Sequence, residues 1–286
     1  MIRDYISLMR PKQWYKNLVL LLGSFFSNNL SNIETYPILI LGFVSFCLIS
    51  GAVYSINDIR DAEHDKNHPT KNKRPIACGK VTKKQGFILA TFLTIGAFTI
   101  SYKLNFMFFI TILGYFLLNI LYTYIFKNVI IADVFLLASF FVIRAISGIA
   151  LLLNTGAVFS PWFTVVIFQL ALLLGFEKRM NEKHVMNSAD KSRPVLKEYN
   201  EGLLSQYIIV SYSILIVFYS LFTFVISTQM MITIPIVMFG LFRYHYIVQN
   251  TKISDPLLAI INDTPLLICI LLWSLISTYI YYFIGM

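Results

Sequence analysis

The sequence predicts an all-α, polytopic membrane protein, a bundle of about nine transmembrane helices. Three observations carry this reading. Apolar residues make up 57% of the 286, and mean hydropathy is +0.71, well beyond soluble-domain composition. They fall in runs close to the ~20 residues that cross a bilayer. These lie near 16–30, 37–56, 87–103, 105–124, 130–153, 161–177, 204–227, 229–247 and 265–284, the first being short. Finally, no ten-residue alternation of apolar and polar residues occurs, which excludes an outer-membrane barrel.

Charge sets the orientation. With the amino terminus in the cytosol, 21 of the 23 Lys and Arg residues fall on the inner face. Lys103 alone lies outside, and Arg144 lies within a span. The net charge of +9 is therefore a topology signal, and nucleic acid is not an expected partner. Thirteen of the fourteen acids share that face, Glu34 being the exception. Acids and bases crowded on one membrane face predict a polar chamber open to the cytosol, although loop solvation accounts for part of the pattern. The three cysteines show no metal spacing or pairing and read as small core residues.

In chain order, Met1–Lys16 is polar and basic, with no apolar core of a cleavable signal peptide, and reads as an interfacial helix. Pro11 suits the first turn of a new helix, and Trp14 and Tyr15 suit the headgroup region. Lys16 and Asn17 enter the first span; Lys16 either snorkels to the headgroups or contacts a phosphate.

The second span runs into Asn57-Asp58-x-x-Asp61-x-x-x-Asp65, where a helix would set one amide and three carboxylates within an arc of about 100°. Three anionic groups on one stripe repel each other unless a cation sits among them. Mg²⁺ takes such oxygens and keeps substrate phosphates as its other ligands. A solvated helix with incidental charges is the bland alternative. Next comes His68-Pro69-Thr70-Lys71-Asn72-Lys73-Arg74-Pro75, a loop by its two prolines. Its Lys71, Lys73 and Arg74 could close over an anion held beside the acidic helix.

The third and fourth spans meet in a short outer turn at 103–105, and the fourth ends in Leu121-Tyr122-Thr123-Tyr124-Ile125-Phe126-Lys127. Asp133 and Arg144 lie on one face of the fifth, about 16 Å apart along the axis. A charge at the depth of Arg144 costs at least about 2.5–3.5 kcal/mol, so an anion must offset it. That anion is either an acid on a neighbouring helix or a substrate phosphate. The sixth span ends in Glu177-Lys178-Arg179, where adjacent bases point about 100° apart. The inner loops 58–86 and 177–203 would cap the chamber. His245 has no second ligand nearby and reads as an interface residue.

These residues resemble the UbiA superfamily of intramembrane prenyltransferases, through Asn57-Asp58-x-x-Asp61-x-x-x-Asp65 at the end of the second of nine helices. The likeness narrows to its polyprenyl-phosphate (decaprenyl-phosphate) phosphoribosyltransferase branch. It does so through Arg10-Pro11-Lys12-Gln13-Trp14-x-Lys16-Asn17, His68-Pro69-Thr70-Lys71-x-x-Arg74-Pro75-Ile76-Ala77-x-Gly79 and Lys127-x5-Asp133. Arg144-x-x-x-Gly148, Lys178-Arg179-x-x-Glu182 and Arg243-Tyr244 complete the set, which covers nearly the whole chain, 1–286, as a single UbiA-like domain.

The resemblance implies Mg²⁺-dependent transfer of 5-phosphoribose from 5-phosphoribosyl 1-diphosphate to a long-chain polyprenyl phosphate, with diphosphate released. It implies an inner-membrane enzyme of cell envelope biosynthesis with its site facing the cytosol; a homo-oligomer is compatible with it. Asp58 and Asp61 are the expected catalytic residues, and Asp58, Asp61 and Asp65 the metal ligands. Lys16, Asn17, Asn57, Lys71, Arg74, Tyr122, Lys127, Asp133, Arg144, Lys178 and Arg179 are the expected substrate-binding residues. Members with aromatic acceptors usually carry a second Asp-x-x-x-Asp; here Leu137 stands four residues after Asp133, so that signature is incomplete. Two other readings stay open: a prenyl transfer from prenyl diphosphate to an aromatic acceptor, and a membrane transporter.

Overall fold

Tyr36–Lys66 forms the longest helix of the computed structural model, α3, and the reason is local. Pro37 sits in its first turn, and no proline or glycine interrupts the acidic stretch after the apolar run ends, so the helix carries Asn57–Asp65 beyond the span. The structure describes residues 2–25, 32–66, 71–155, 160–185, 195–251 and 255–284. His68, Pro69, Thr70 and Asn187, the middle of the expected 177–203 loop and Lys252 lie outside them. Among the described residues every regular element is helical, and eight helices are long and apolar enough to cross a membrane.

Two compact units make up the chain. The first holds α1 (Ile2–Met9), α2 (Val19–Phe25), α3, α4 (Lys83–Leu104), α5 (Phe106–Tyr124) and the larger part of α6 (Ala132–Leu151). α4 packs along α3. It opens on a capping box, in which Thr82 Oγ1 accepts from the Gln85 amide at 3.2 Å and Gln85 Oε1 accepts from the Thr82 amide at 3.0 Å. Asn105 alone turns α4 into α5 and caps the latter.

The amino-terminal expectation needs one change. Arg10, at φ 51°, breaks the chain after α1, and Pro11–Leu18 follows as a 3₁₀ helix, so α-helix begins only at Val19. Such long 3₁₀ runs are uncommon. This one buries the Asn17 side chain to 1% exposure, where it joins a hydrogen-bond network described below. At the α2–α6 crossing the backbones nearly touch. A Cβ on Gly148 would lie 1.9 Å from the Leu20 carbonyl oxygen, and one on Gly23 would lie 2.9 Å from that of Ala145.

The second unit begins with the first turns of α6 and continues through α7 (Pro161–Val185), α8 (Val195–Glu198), α9 (Glu201–Ile226), α10 (Ile234–Thr251), α11 (Pro256–Asn262) and α12 (Thr264–Tyr279). α7 runs eight residues past the expected end of its span and packs on α9. Asn200, Asp255 and Asp263 cap α9, α11 and α12.

Candidate active site

In the first unit the helical spacing of α3 places Cys47, Ser50, Tyr54, Asp58, Asp61 and Asp65 along one face, a polar column on an otherwise apolar helix. Its upper part is fully paired. Asp58, 2% exposed, accepts from Arg10 Nη2 and, at 3.2 Å, from Arg74 Nη1. The same Arg74 nitrogen donates to Asp65 at 2.6 Å. Lys127 donates to Asp61, and Thr123 to the side-chain oxygen of Asn57. The Arg10 guanidinium also stacks on Tyr54, 4.9 Å from the ring centre.

Local structure explains each arrival. The Arg10 turn aims its side chain back at α3. Arg74 follows the one-turn 3₁₀ helix Lys71–Lys73, its amide bonded to the Lys71 carbonyl at 2.9 Å. The end of α5 lies beside the acidic turn, so Thr123, Tyr124 and Lys127 meet Asn57, Arg60 and Asp61 in register. Three carboxylates thus pair with three bases, while Arg60 beside them donates to the Tyr124 carbonyl at 3.3 Å.

Below it the column has a different character. Arg144 is 4% exposed and is held only by neutral acceptors. Nε donates to Asn17 Oδ1 at 2.9 Å, Nη2 to the Tyr115 hydroxyl at 2.7 Å and Nη1 to the Phe140 carbonyl at 3.0 Å. Tyr115 and Phe141 present ring faces at 4.8 and 5.4 Å. Asn17 in turn donates to Cys47 Sγ at 3.5 Å, and Ser50 reaches both Asn17 and Tyr115. Among the described residues no carboxylate touches Arg144, so the acid on a neighbouring helix that the sequence left open is not there.

The second unit gathers Asp133, Arg179 and Tyr199, all at most 1% exposed. Arg179 donates to Asp133 Oδ2 at 2.8 Å and to Glu182 at 2.5 Å; the Tyr199 hydroxyl donates to Asp133 Oδ1 at 2.6 Å. Tyr199 also accepts from the amide of Ile131, at 2.8 Å, and so holds that β-branched residue at φ 69°. Burial, and then the Asp133 carboxylate, push the Tyr199 phenol far up, so it stays a proton donor. Asp133 and Arg179, both expected substrate-binding residues, pair with each other and join the start of α6 to α7. Lys178 is exposed on the other side of α7, as adjacent helical positions require. Lys16 and Lys71 are half-buried, Lys16 lying over the Tyr15 ring at 5.9 Å; Tyr122 is buried edge-on against Phe140 at 5.7 Å.

Sequence reasoning missed several participants. Arg10 stood in the quoted Arg10-Pro11 run but was not assigned a contact. Tyr54, Tyr115 and Tyr199 gave no signal, since tyrosine is common in membrane helices and polar loops. His245, read as an interface residue, also has a partner the sequence did not show: its Nδ1 meets the buried Glu177 carboxylate, to which Tyr212 donates at 3.3 Å.

Among the described residues no three Asp, Glu, His or Cys side chains group closely enough to cage an ion. Asp58, Asp61 and Asp65 are each tied to a base, Asp58 and Asp65 sharing Arg74, so a base must first let go of any of these hard oxygen donors. That set fits Mg²⁺ of the kind that takes one or two carboxylates and completes its shell with phosphate and water. It does not fit a dedicated three-carboxylate cage.

Eight helices long and apolar enough to cross a membrane, one of them carrying a carboxylate stripe interleaved with arginine and lysine, define an integral membrane protein. Residues 18–260 match the model of the UbiA prenyltransferase family, and the chain belongs to that family. It is 30% identical over 231 residues to a decaprenyl-phosphate phosphoribosyltransferase of Mycolicibacterium smegmatis, covering 78% of this chain and 71% of that one. The protein of that name from Mycobacterium tuberculosis is 26% identical over 212 residues, covering 73% and 68%. Among solved structures, a UbiA homolog from Archaeoglobus fulgidus bound to DMAPP and Mg²⁺ shares the fold, with a TM-score of 0.75 at 16% identity over 98% of this chain and all of that one.

Proposed function

We propose that this chain transfers 5-phosphoribose from 5-phosphoribosyl 1-diphosphate to a long-chain polyprenyl phosphate at the cytosolic face of the inner membrane, releasing diphosphate. The observation that carries the reading is the state of Asp133. Both of its oxygens are occupied, by Tyr199 and by Arg179, and it is wholly buried. A prenyl diphosphate paired with an aromatic acceptor would call on a second acidic motif, and here the acid in question is already bonded at both oxygens, with Leu137 four residues on. Bases dominate instead: Arg10, Arg74 and Lys127 match the three acids, and Arg144 is in excess. Two phosphorylated substrates suit that balance better than one. The names of the mycobacterial relatives point the same way.

The chemistry needs little beyond positioning and charge. An oxygen of the lipid phosphate attacks the anomeric carbon, and the bond from that carbon to the diphosphate oxygen breaks with its electron pair on the leaving group. The acceptor is already an anion, so no general base is required. Asp58 and Asp61 would hold Mg²⁺, which when bound supplies charge neutralisation to the departing diphosphate. Arg10, Arg74 and Lys127, in the same layer, would be the donors to phosphate oxygens. Tyr54 supports the Arg10 plane from below.

The test is transfer of label from ribose-labelled 5-phosphoribosyl 1-diphosphate to polyprenyl phosphate in membranes holding the chain. Label should enter the lipid fraction with Mg²⁺ and should fall by at least about a hundredfold in Asp58→Asn, a loss of several kcal/mol of transition-state stabilisation. Wild-type transfer by Asp58→Asn at saturating Mg²⁺ would remove the metal assignment. Prenyl transfer to an aromatic acid, with no labelled lipid phosphate, would favour the other reaction.

A further inference from the structure

Within that proposed reaction, on which this inference rests, we propose that Arg144, with Asn17 and Tyr115, holds the phosphate of the lipid acceptor, and that this subsite works without metal. Depth separates it from the acidic layer. Ser50 precedes Asp58 by eight residues of α3, so the layer of Ser50, Asn17, Tyr115 and Arg144 lies about 12 Å further into the membrane. Tyr54 stands between the two layers, with Arg10 on its face.

Charge distinguishes the layers as well. Above, each carboxylate has a base, and a newcomer must break ion pairs. Below, Arg144 has no acid among the described residues, and its ion is buried at 4% exposure. A cation there is costly until an anion arrives. Guanidinium has five N–H donors; three are spent on Asn17, Phe140 and Tyr115, which leaves one on each terminal nitrogen. Two parallel N–H groups are what a bidentate grip on phosphate uses. No metal is called for, because the site already carries the compensating charge.

The surroundings choose between the two phosphate sources. The sugar donor is multiply charged, strongly hydrated and comes from water. A polyprenyl phosphate comes through the membrane with an apolar chain behind a single phosphate monoester. Arg144 is walled by Tyr115, Phe140 and Phe141, and Tyr115 packs edge-on to Phe46 at 5.4 Å. Aromatic and apolar walls around one strong cation match the second kind of ligand.

The experiment uses the full chain in detergent, with farnesyl phosphate as the lipid probe and 5-phosphoribosyl 1-diphosphate with Mg²⁺ as the donor probe, each read by ligand-induced thermal stabilisation. Farnesyl phosphate should stabilise the wild type equally with EDTA or Mg²⁺. Asp58→Asn should keep that response and lose the donor's. Arg144→Gln, which retains hydrogen-bonding capacity towards Asn17 and Tyr115, should weaken farnesyl phosphate at least about tenfold, as loss of a charged hydrogen bond does, and leave the donor response intact. Tyr115→Phe, removing one partner of Arg144, should weaken farnesyl phosphate less and keeps the test alive if Arg144→Gln fails to fold. Loss of the donor response in Arg144→Gln, with the lipid response unchanged, would give Arg144 to the donor's 5-phosphate and overturn the proposal. So would farnesyl phosphate binding that requires Mg²⁺, or none at all. If farnesyl phosphate binds through Arg144 yet polyprenyl phosphate never accepts phosphoribose, the subsite stands and the assigned reaction falls.

Discussion

Gly148→Ala should damage the site without touching it. Gly148 follows Arg144 by one helical turn on α6, and the residue opposite, Leu20, follows Asn17 by three positions. A methyl group at 148 would meet the Leu20 carbonyl oxygen at 1.9 Å and its carbonyl carbon at 2.9 Å. Carbon and oxygen need about 3.3 Å, so the two backbones must part by roughly 1.4 Å. Backbone, unlike the end of a flexible side chain, has no rotamer to yield. Overpacking of this kind costs about 1–3 kcal/mol. Moreover, the separation would stretch the 2.9 Å bond between Arg144 Nε and Asn17 Oδ1 past 3.5 Å, where it no longer counts. The expected result is a lowered apparent Tm in detergent together with weakened farnesyl phosphate stabilisation, while the donor response with Mg²⁺ persists. A Gly148→Ala protein with wild-type Tm and wild-type lipid response would refute the crossing as the element that sets Arg144 in place.

Two further outcomes follow from pairing and orientation. Arg179→Met leaves the Asp133 carboxylate buried without its base, which should cost about 3–5 kcal/mol; adding Asp133→Asn should recover much of the lost Tm, and no recovery would mean the pair is not the cause. Labelling of intact cells with a membrane-impermeant maleimide should modify an Asn32→Cys probe and spare Cys78, which is free and exposed but predicted to face the cytosol. Modification of Cys78 with protection at 32 would invert the topology.

Much of the fold was legible because its causes are local. Span length and the lack of helix breakers from Asn57 to Lys66 are both read along the chain. The carboxylate stripe was equally legible, since helical period alone aligns Asp58, Asp61 and Asp65. The partners were not. Arg10 and Asp58 are separated by 48 positions, and Tyr115 and Arg144 by 29, and a tyrosine inside Ile112-Leu113-Gly114-Tyr115-Phe116-Leu117 looks like any span residue. The partners of Asp133 were hidden for a related reason. An acid at the edge of a span reads as a site residue, and nothing along the chain announces Arg179 and Tyr199, 46 and 66 positions away, which pair with it.

The cage around Arg144 also bears on how the chain is made. A ribosome delivers α6 after α2 and α5, so when Arg144 leaves the insertion machinery, Asn17 and Tyr115 are already in the bilayer. Its third acceptor, the Phe140 carbonyl, lies one turn earlier on its own helix. Every group that solvates the guanidinium is therefore synthesised before it. The arginine never has to wait in lipid for a later helix, and the order of the genetic message removes a barrier that the finished structure no longer shows.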